Sequence, residues 1–310
     1  MHGRSEVVLT DLHPIPGQEL PAGAHYRDTP VDATRIPEEL KLGELHVALR
    51  STREALPLCQ GTRLPGLQMD GWTLVGGIHR SLGELDAESS FREQLRISRE
   101  NKYMTGVIRG LTELAELSLA RGDLAQARRL HDEARALLQE KKRRAPEDLA
   151  LRQARLAFEE GHLEEASRLA EAAVTTVQQL DVPEVHLLRA RIFLALAQYK
   201  EANVALLEAG EPAVRMTWLA LRLQAARLRA ARGGASEREA ALASLRELLG
   251  QAQELGWLEG QYEARLALGE VELAAGRRAA GLVRLKALER DARKSGWESW
   301  ARKASLQAGP

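Results

Sequence analysis

Three short turn-like segments recur along the chain at nearly constant spacing. They read RGDLAQA (121–127), EGHLEEA (160–166) and AQYKEA (197–202). Each has a small turn residue, then a large apolar residue and an alanine, and each separates two stretches with helical patterning. The anchors Gly122, Gly161 and Ala197 lie 39 and 36 residues apart. A fixed period in this range predicts stacked helix pairs, in which each pair buries its apolar face against the next.

The repeated pattern covers most of the chain. The turns of the repeats are predicted at Gly83, Gly122, Gly161, Ala197, Gly233–Gly234 and Gly276. A composition rich in Ala, Leu, Arg and Glu, with only 4% aromatic residues, favours helix within each repeat. An amphipathic stretch at 297–307 is expected to cap the last repeat. The sequence therefore predicts an all-α fold: a right-handed α-solenoid of about six stacked helix-turn-helix repeats with a C-terminal capping helix.

Composition divides the chain into three segments. Residues 1–36 are rich in proline and glycine. Ser5–Leu12 has residues that favour a short strand, but a lone strand is not stable by itself, so a flexible or loosely docked arm is predicted. Residues 37–66 are predicted to form a leading helix over 37–58 and a linker, since proline suits a first helical turn. Residues 67–310 are the repeat array, in which Ser236 and Glu239 match a capping box.

Charge and hydropathy exclude several classes of function. The chain has 44 basic and 44 acidic side chains, so no broad cationic surface is available for phosphates, and nucleic-acid binding is not expected. No apolar run approaches a membrane span of about 18 residues, and no signal-peptide core occurs near the N-terminus. A cytoplasmic protein is therefore expected. The single cysteine, Cys59, excludes an internal disulfide and a multi-cysteine metal site.

The sequence contains no recognisable catalytic constellation. None of the eight histidines forms a pair at the spacing that places two metal ligands on one helix face. No phosphate-binding glycine loop or nucleophile elbow occurs. Gly76 and Gly77 are interpreted as small packing residues within a helix, and Glu113 and Glu116 as part of a solvated helix face. We therefore expect no enzymatic activity, no cofactor and no metal.

The residues that recur within a repeat resemble those of the tetratricopeptide repeat family. The second repeat has them as Leu111, Leu114, Ala115, Gly122, Leu124, Ala127 and Ala134. In this arrangement small residues let two helices approach, and large residues fill the facing space. Glu88 and Gly281 depart from the pattern, because alanine is expected at both positions. The closing segment, 254–304, resembles the C-terminal repeats of bacterial multidomain kinases and transcriptional regulators.

The resemblance gives one position in each repeat a functional meaning. The residue six positions before the turn is Glu116, Arg155, Arg191, Arg227 and Glu270 in repeats two to six. In tetratricopeptide arrays this position faces the concave groove, where equivalent residues follow one another. These five residues, which we call the ladder, are predicted to form a basic groove centre with acidic flanks. A planar guanidinium suits the recognition of carboxylates.

A structural role for the same arginines stays open. Each arginine lies between an alanine and a leucine or isoleucine, which is consistent with a packing function. Glu159, four residues after Arg155, is placed to neutralise it within the helix. Near the C-terminus, Trp297 is predicted to pack inward, whereas an exposed Trp300 would indicate a docking or dimer surface.

Together these patterns predict a non-enzymatic interaction protein. The favoured function is a scaffold or adaptor whose concave groove, lined by the ladder, binds an acidic peptide or a partner domain. The alternative is a regulatory or sensor module of a bacterial signalling kinase or transcriptional regulator. A partner bound in the groove would support the scaffold, and a kinase or DNA-binding domain acting beside the repeats would support the regulator.

Overall fold

The described part of the chain is built from helices. The computed structural model describes residues 36–61, 65–140, 149–176 and 182–309, and these ranges contain fifteen α-helices and no β-strand. The helices are α1 (Ile36–Leu42), α2 (Leu45–Gly61), α3 (Pro65–Leu82), α4 (Ala87–Glu100), α5 (Met104–Ala120), α6 (Leu124–Glu140), α7 (Leu149–Glu159), α8 (Leu163–Val174), α9 (Val182–Ala195), α10 (Tyr199–Glu208), α11 (Arg215–Arg232), α12 (Ala235–Glu254), α13 (Leu258–Ala274), α14 (Arg278–Lys294) and α15 (Glu298–Ala308). The predicted all-α fold class is therefore confirmed.

Consecutive helices pair in the order that the repeat pattern predicts. Helix α3 packs on α4, α7 on α8, α9 on α10, α11 on α12 and α13 on α14, and α15 packs on α14 at the predicted cap position. By packing, the chain divides between Leu114 and Ala115, within α5. We refer to the two parts as the N-terminal unit and the C-terminal unit.

Residues with left-handed backbone end the first helix of most repeats. The φ angle is +75° at Gly83 and at Gly122, +81° at Gly161 and +77° at Gly276. The fourth repeat places Ala197 at +55°, a conformation that is uncommon for a residue with a Cβ atom. Glycine is favoured at these turns because it adopts positive φ without a steric penalty. The turns of the repeats therefore lie where the sequence places them.

The structure differs from two local predictions. Between residues 36 and 61 it has two helices, α1 and α2, separated by Gly43 at φ +77°, where the apolar spacing predicts one helix over 37–58. The predicted capping box is wrong, because the N-cap of α12 is Gly234 and no side chain caps this helix. Ser236 lies instead inside the first turn. The predicted arm up to residue 35, with the candidate strand at Ser5–Leu12, lies outside the described residues.

In the N-terminal unit, Gly76 allows α3 and α4 to approach closely. A Cβ atom at Gly76 would lie 2.5 Å from Cε1 of Phe91, a side chain that is 1% exposed. A Cβ atom at the adjacent Gly77 would meet nothing within 4 Å. The packing role inferred from sequence is confirmed at Gly76, whereas Gly77 has free space beside it.

These neighbouring glycines form a matched pair for mutagenesis. Gly76→Ala is expected to lower the free energy of unfolding by about 1–3 kcal/mol, because the new methyl group overpacks the Phe91 ring. Gly77→Ala is expected to leave stability unchanged or raise it by up to about 1 kcal/mol, because alanine is the better helix former. Urea unfolding followed by circular dichroism measures both changes. Equal effects of the two substitutions would contradict the packing assignment.

The C-terminal unit ends in an aromatic core. Side chains of α13, α14 and α15 form one buried cluster, in which Trp297 and Trp300 are 5% and 6% exposed. The ring of Tyr262 meets that of Trp297 edge to face, with centroids 6.3 Å apart. The prediction that Trp297 packs inward is confirmed. The alternative of an exposed Trp300 is wrong, because this ring covers the apolar face of the last repeat.

Helix α15 also reaches the beginning of the C-terminal unit. Three donors on one of its faces make these contacts: Ser299 Oγ to the carbonyl oxygen of Ala120 at 2.9 Å, Arg302 Nη2 to the carbonyl oxygen of Gly122 at 2.9 Å, and Lys303 Nζ to Oε1 of Glu159 at 2.7 Å. We call these three contacts the α15 seam. Since α7, α9, α11, α13 and α15 also pack in succession, the C-terminal unit closes on itself.

Candidate functional site

The structure pairs every arginine of the ladder with a carboxylate of the same chain. The pairs are Arg155–Glu116 at 2.8 Å, Arg191–Glu263 at 2.6 Å and Arg227–Glu270 at 2.8 Å between nitrogen and oxygen. Two of the carboxylates are the predicted acidic flanks of the ladder. The third, Glu263, lies outside the ladder and is 72 residues from its arginine. The structure therefore brings the ladder together as ion pairs.

The three ion pairs differ in their exposure. The side chains of Arg191 and Glu263 are 16% and 3% exposed. Gln224 Nε2 donates to the second oxygen of Glu263 at 2.7 Å, so both oxygens of this carboxylate are bonded. Arg155 and Arg227 remain 33% and 27% exposed. Arg191 thus belongs to a buried polar network, while the other two arginines are partly accessible.

Nearby carboxylates raise the pKa of two ladder arginines. The Glu116 carboxylate raises the pKa of Arg155 above its ordinary value, against the opposing effect of burial. Burial lowers the pKa of Arg191, but the carboxylates of Glu263 and Glu259 together raise it by more. Glu259 raises the pKa of both arginines. Carboxylates of α13 therefore act on arginines of α7 and α9 across the inside of the C-terminal unit.

Two carboxylates that the sequence places on a solvated face are buried. Glu113 and Glu116 are 9% and 7% exposed, and Glu113 binds Arg80 at 2.8 Å within the N-terminal unit. The solvated-face interpretation is wrong, because these carboxylates are removed from water and each is stabilised by an ionic partner. The alternative that Glu159 neutralises Arg155 is also wrong. Glu159 belongs to the α15 seam.

A second charged surface lies on α11. This helix contains five arginines and no acidic residue. Its exposed and half-exposed positions recur at the spacing of one helix face. The charged or aromatic residues on this face are Arg215, Trp218, Arg222, Arg229 and Arg232. We call these five residues the α11 basic face. The helix is anchored elsewhere by its core side chains Leu219 and Leu223, which are 0% and 1% exposed.

Two guanidinium groups of this face flank one tryptophan. The Cζ atoms of Arg215 and Arg222 lie 5.2 and 4.6 Å from the ring centroid of Trp218. These distances correspond to cation–π interactions, for which tryptophan is the most favourable ring. Because the N–H groups of a guanidinium lie in its plane, a stacked arginine can still donate them at its edge to a carboxylate.

The α11 basic face differs from the ladder in the partners of its arginines. Arg215 donates to the side chain of Gln251 at 3.1 Å, and Arg229 pairs with Glu237. Among the residues that the structure describes, Arg222 and Arg232 have no hydrogen bond or ion pair. The face therefore carries uncompensated positive charge on a chain whose formal net charge is zero.

The α11 basic face is not visible when a single position of each repeat is compared. A signal was present in the sequence, since α11 has five arginines without an acidic residue and Trp218 lies one helical turn before Arg222. The ladder position selected Arg227, which the structure pairs with Glu270. Whether an arginine in this helix is paired or open depends on which other helices surround it.

A further polar cluster of the C-terminal unit surrounds His186. Burial, and then the charge of Arg189, lower the pKa of His186, whose Nδ1 lies 3.3 Å from a carboxylate oxygen of Glu208. This cluster connects α9 to α10.

Across the described ranges, no group of three or more His, Cys, Asp or Glu side chains is placed to hold a metal ion. In the same ranges no helix is both long and apolar enough to cross a membrane.

Comparison with known proteins gives distant structural likenesses. No family profile matches the sequence, and no curated protein matches it. A signal transduction ATPase with numerous domains and a tetratricopeptide repeat sensor, from Pyrococcus horikoshii, aligns with 91% of this chain at 13% identity and a TM-score of 0.48; the match covers 49% of that chain. Yeast Tom70 aligns with 86% of this chain at 14% identity and a TM-score of 0.41; the match covers 60% of that chain. The fold assignment therefore rests on this chain's own helices and turns.

Proposed function

We propose that this tetratricopeptide-like helical repeat protein is a non-enzymatic protein-binding scaffold whose α11 basic face binds an acidic segment of a partner protein. One observation carries the proposal: Arg222 is stacked on Trp218 at 4.6 Å and has no ionic partner among the described residues. A partner that brings carboxylates to this face supplies the missing charge. The proposed partner is acidic, as the sequence predicts, but its proposed binding site is on α11 and not on the ladder.

The composition of the α11 basic face also suits a peptide ligand. Tryptophan and arginine are the residue types that most often dominate the binding energy of protein interfaces. Val214, which directly precedes the helix, is 37% exposed, and the N–H of Trp218 donates to its carbonyl oxygen at 3.0 Å. Val214 and the Trp218 ring therefore lie one helical turn apart and add apolar surface beside the guanidiniums. The ligand that fits best has an apolar side chain between its carboxylates.

The ladder is the second candidate surface for the same ligand. Arg155 and Arg227 keep part of their surface open to solvent. A partner carboxylate at these positions would replace or share the partners that they already have, Glu116 and Glu270. Exchange of one carboxylate for another gains little, because the charge of the guanidinium is already compensated. For this reason the ladder ranks below the α11 basic face.

Binding of a synthetic acidic peptide tests the proposal. The probe is a fluorescein-labelled peptide of alternating glutamate and leucine, and fluorescence anisotropy measures its affinity at about 0.1 M salt, where exposed charges still interact at short range. The wild-type chain is expected to bind it. The double variant Arg222→Gln/Arg232→Gln is expected to bind at least about tenfold more weakly, because it removes the two uncompensated charges. Trp218→Leu is expected to weaken binding as well, because the ring that positions Arg222 is lost.

Matched variants separate a specific site from general charge attraction. Arg246 on α12 and Arg278 on α14 are exposed and have no ion pair among the described residues, so Arg246→Gln/Arg278→Gln removes the same charge from elsewhere in the C-terminal unit. Its affinity is expected to stay within about twofold of wild type. An equal loss in this control would reject the α11 site. If peptide affinity falls only in the variant Arg155→Gln/Arg227→Gln, the ladder is the binding site.

A further inference from the structure

The α15 seam differs chemically from the other contacts of α15. Towards α13 and α14, this helix buries apolar side chains against Leu285 and Leu288, which are 0% exposed. Across the seam it makes two hydrogen bonds to carbonyl oxygens and one ion pair. The apolar contribution from the other side is the small side chain of Ala120. Helix α15 is therefore joined firmly to the end of the C-terminal unit and lightly to its beginning.

Lys303 is the charged group of the seam. Its Nζ lies 2.7 Å from the Glu159 carboxylate and 4.7 Å from the ring centroid of Trp300. The side chains of Lys303 and Glu159 are 32% and 17% exposed, so solvent and salt reach the edge of the contact. A partly exposed ion pair responds to salt and to charge substitution more strongly than an apolar contact does.

We infer that the C-terminal unit opens at the α15 seam, while α13, α14 and α15 keep their mutual packing. The physical reason is the contrast between a polar seam and an apolar core on two sides of one helix. Opening parts α15 from Glu159 of α7 and from the turn that follows α5, and it uncovers the surfaces that now meet at the seam. Two states of one unit, with different surfaces accessible, are what a regulatory module requires.

This inference goes beyond the proposed function, because it needs no ligand at the α11 basic face. It links the closed state to contacts between residues 144 to 180 positions apart. A partner that binds the surfaces uncovered at the seam, and does not bind the closed state, would shift the population towards the open state. Salt and substitutions at Lys303 shift the same equilibrium without any partner.

Hydrogen–deuterium exchange of the full chain tests the inference through Lys303→Glu, which places two carboxylates against each other at the seam. Exchange of the segment 118–124, where the N–H of Asp123 donates to the carbonyl oxygen of Ser118 at 2.9 Å, is expected to become about tenfold faster. Exchange around Ala301 and Ala304 in α15 is expected to stay slow. The swapped variant Glu159→Lys/Lys303→Glu is expected to restore protection of 118–124.

Lys294→Glu is the control, since Lys294 is exposed on α14 and lies outside the seam. It is expected to exchange as wild type does. Unchanged exchange of 118–124 in Lys303→Glu would overturn the inference. Joint loss of protection in 118–124 and throughout α15 would also overturn it, because α15 would then unfold and not part from its neighbour as a helix. If Lys303→Glu does not fold, Arg302→Met tests the same seam, because methionine has no donor for the carbonyl oxygen of Gly122. The peptide affinity of the α11 basic face is a separate readout and is expected to be unchanged.

Discussion

Replacing Arg191 by methionine is expected to lower the free energy of unfolding by about 3–5 kcal/mol, the usual cost of leaving one member of a buried ion pair alone. The substitution leaves the carboxylate of Glu263, a side chain that is 3% exposed, with Gln224 as its remaining hydrogen-bond partner. Methionine fills a similar volume, so the loss of charge dominates the effect. Thermal and urea unfolding followed by circular dichroism measure the change.

Two comparisons identify the ion pair as the cause. The double variant Arg191→Met/Glu263→Gln removes both charges and keeps an amide oxygen to accept from Gln224, so it is expected to recover most of the lost stability. Arg135 forms an exposed pair with Asp132, with side chains 57% and 54% exposed. Arg135→Met is expected to cost no more than about 1 kcal/mol. A double variant as unstable as Arg191→Met would show that packing, and not charge, determines the loss.

The second large effect is expected at Gly122, where the local turn and the closure of the C-terminal unit coincide. Its φ angle is +75°, and a Cβ atom there would lie 3.0 Å from the backbone nitrogen of Ser299. Gly122→Ala is therefore expected to incur about 1–3 kcal/mol of backbone strain. Displacement of α15 is expected to cost about 1–3 kcal/mol more. Urea unfolding measures the sum.

Gly161 provides the matched control for this substitution. Its φ angle is +81°, and a Cβ atom there would meet nothing within 4 Å. Gly161→Ala is therefore expected to show the backbone strain alone. Exchange of the segment 118–124 should rise in Gly122→Ala through loss of the α15 contact, and exchange around residue 161 should rise only locally. If the two substitutions destabilise the chain equally, the contact with α15 contributes no additional energy at Gly122.

The helix pairs can be predicted from the sequence, because the interactions that specify them are local. A glycine at positive φ ends a helix within a few residues, and the alternation of small and large residues sets which faces meet. Even one departure from the family pattern has a local reason. At Gly281, where alanine is expected, a Cβ atom would lie 2.9 Å from Cγ of Leu273 and 3.0 Å from the carbonyl oxygen of Gly269, so the helices come too close for alanine.

The sequence also selected the five ladder residues but not the ion pairs that they form. Arg155 and Arg227 recur at equivalent positions, and this recurrence is visible without a structure. That Glu263 binds Arg191 across 72 residues is visible only in the structure. The same applies to the α11 basic face, whose arginines differ from those of the ladder in their surroundings and not in residue type.

The closure of the C-terminal unit is visible only in the tertiary structure. A repeat specifies its contact with the next repeat, and a small rotation is added at each step. The sum of these rotations over the C-terminal unit determines whether α15 meets the beginning of that unit, and no single repeat contains this information. Helix α15 contacts the beginning of the unit because these rotations accumulate. The contacts join Ser299, Arg302 and Lys303 to Ala120, Gly122 and Glu159.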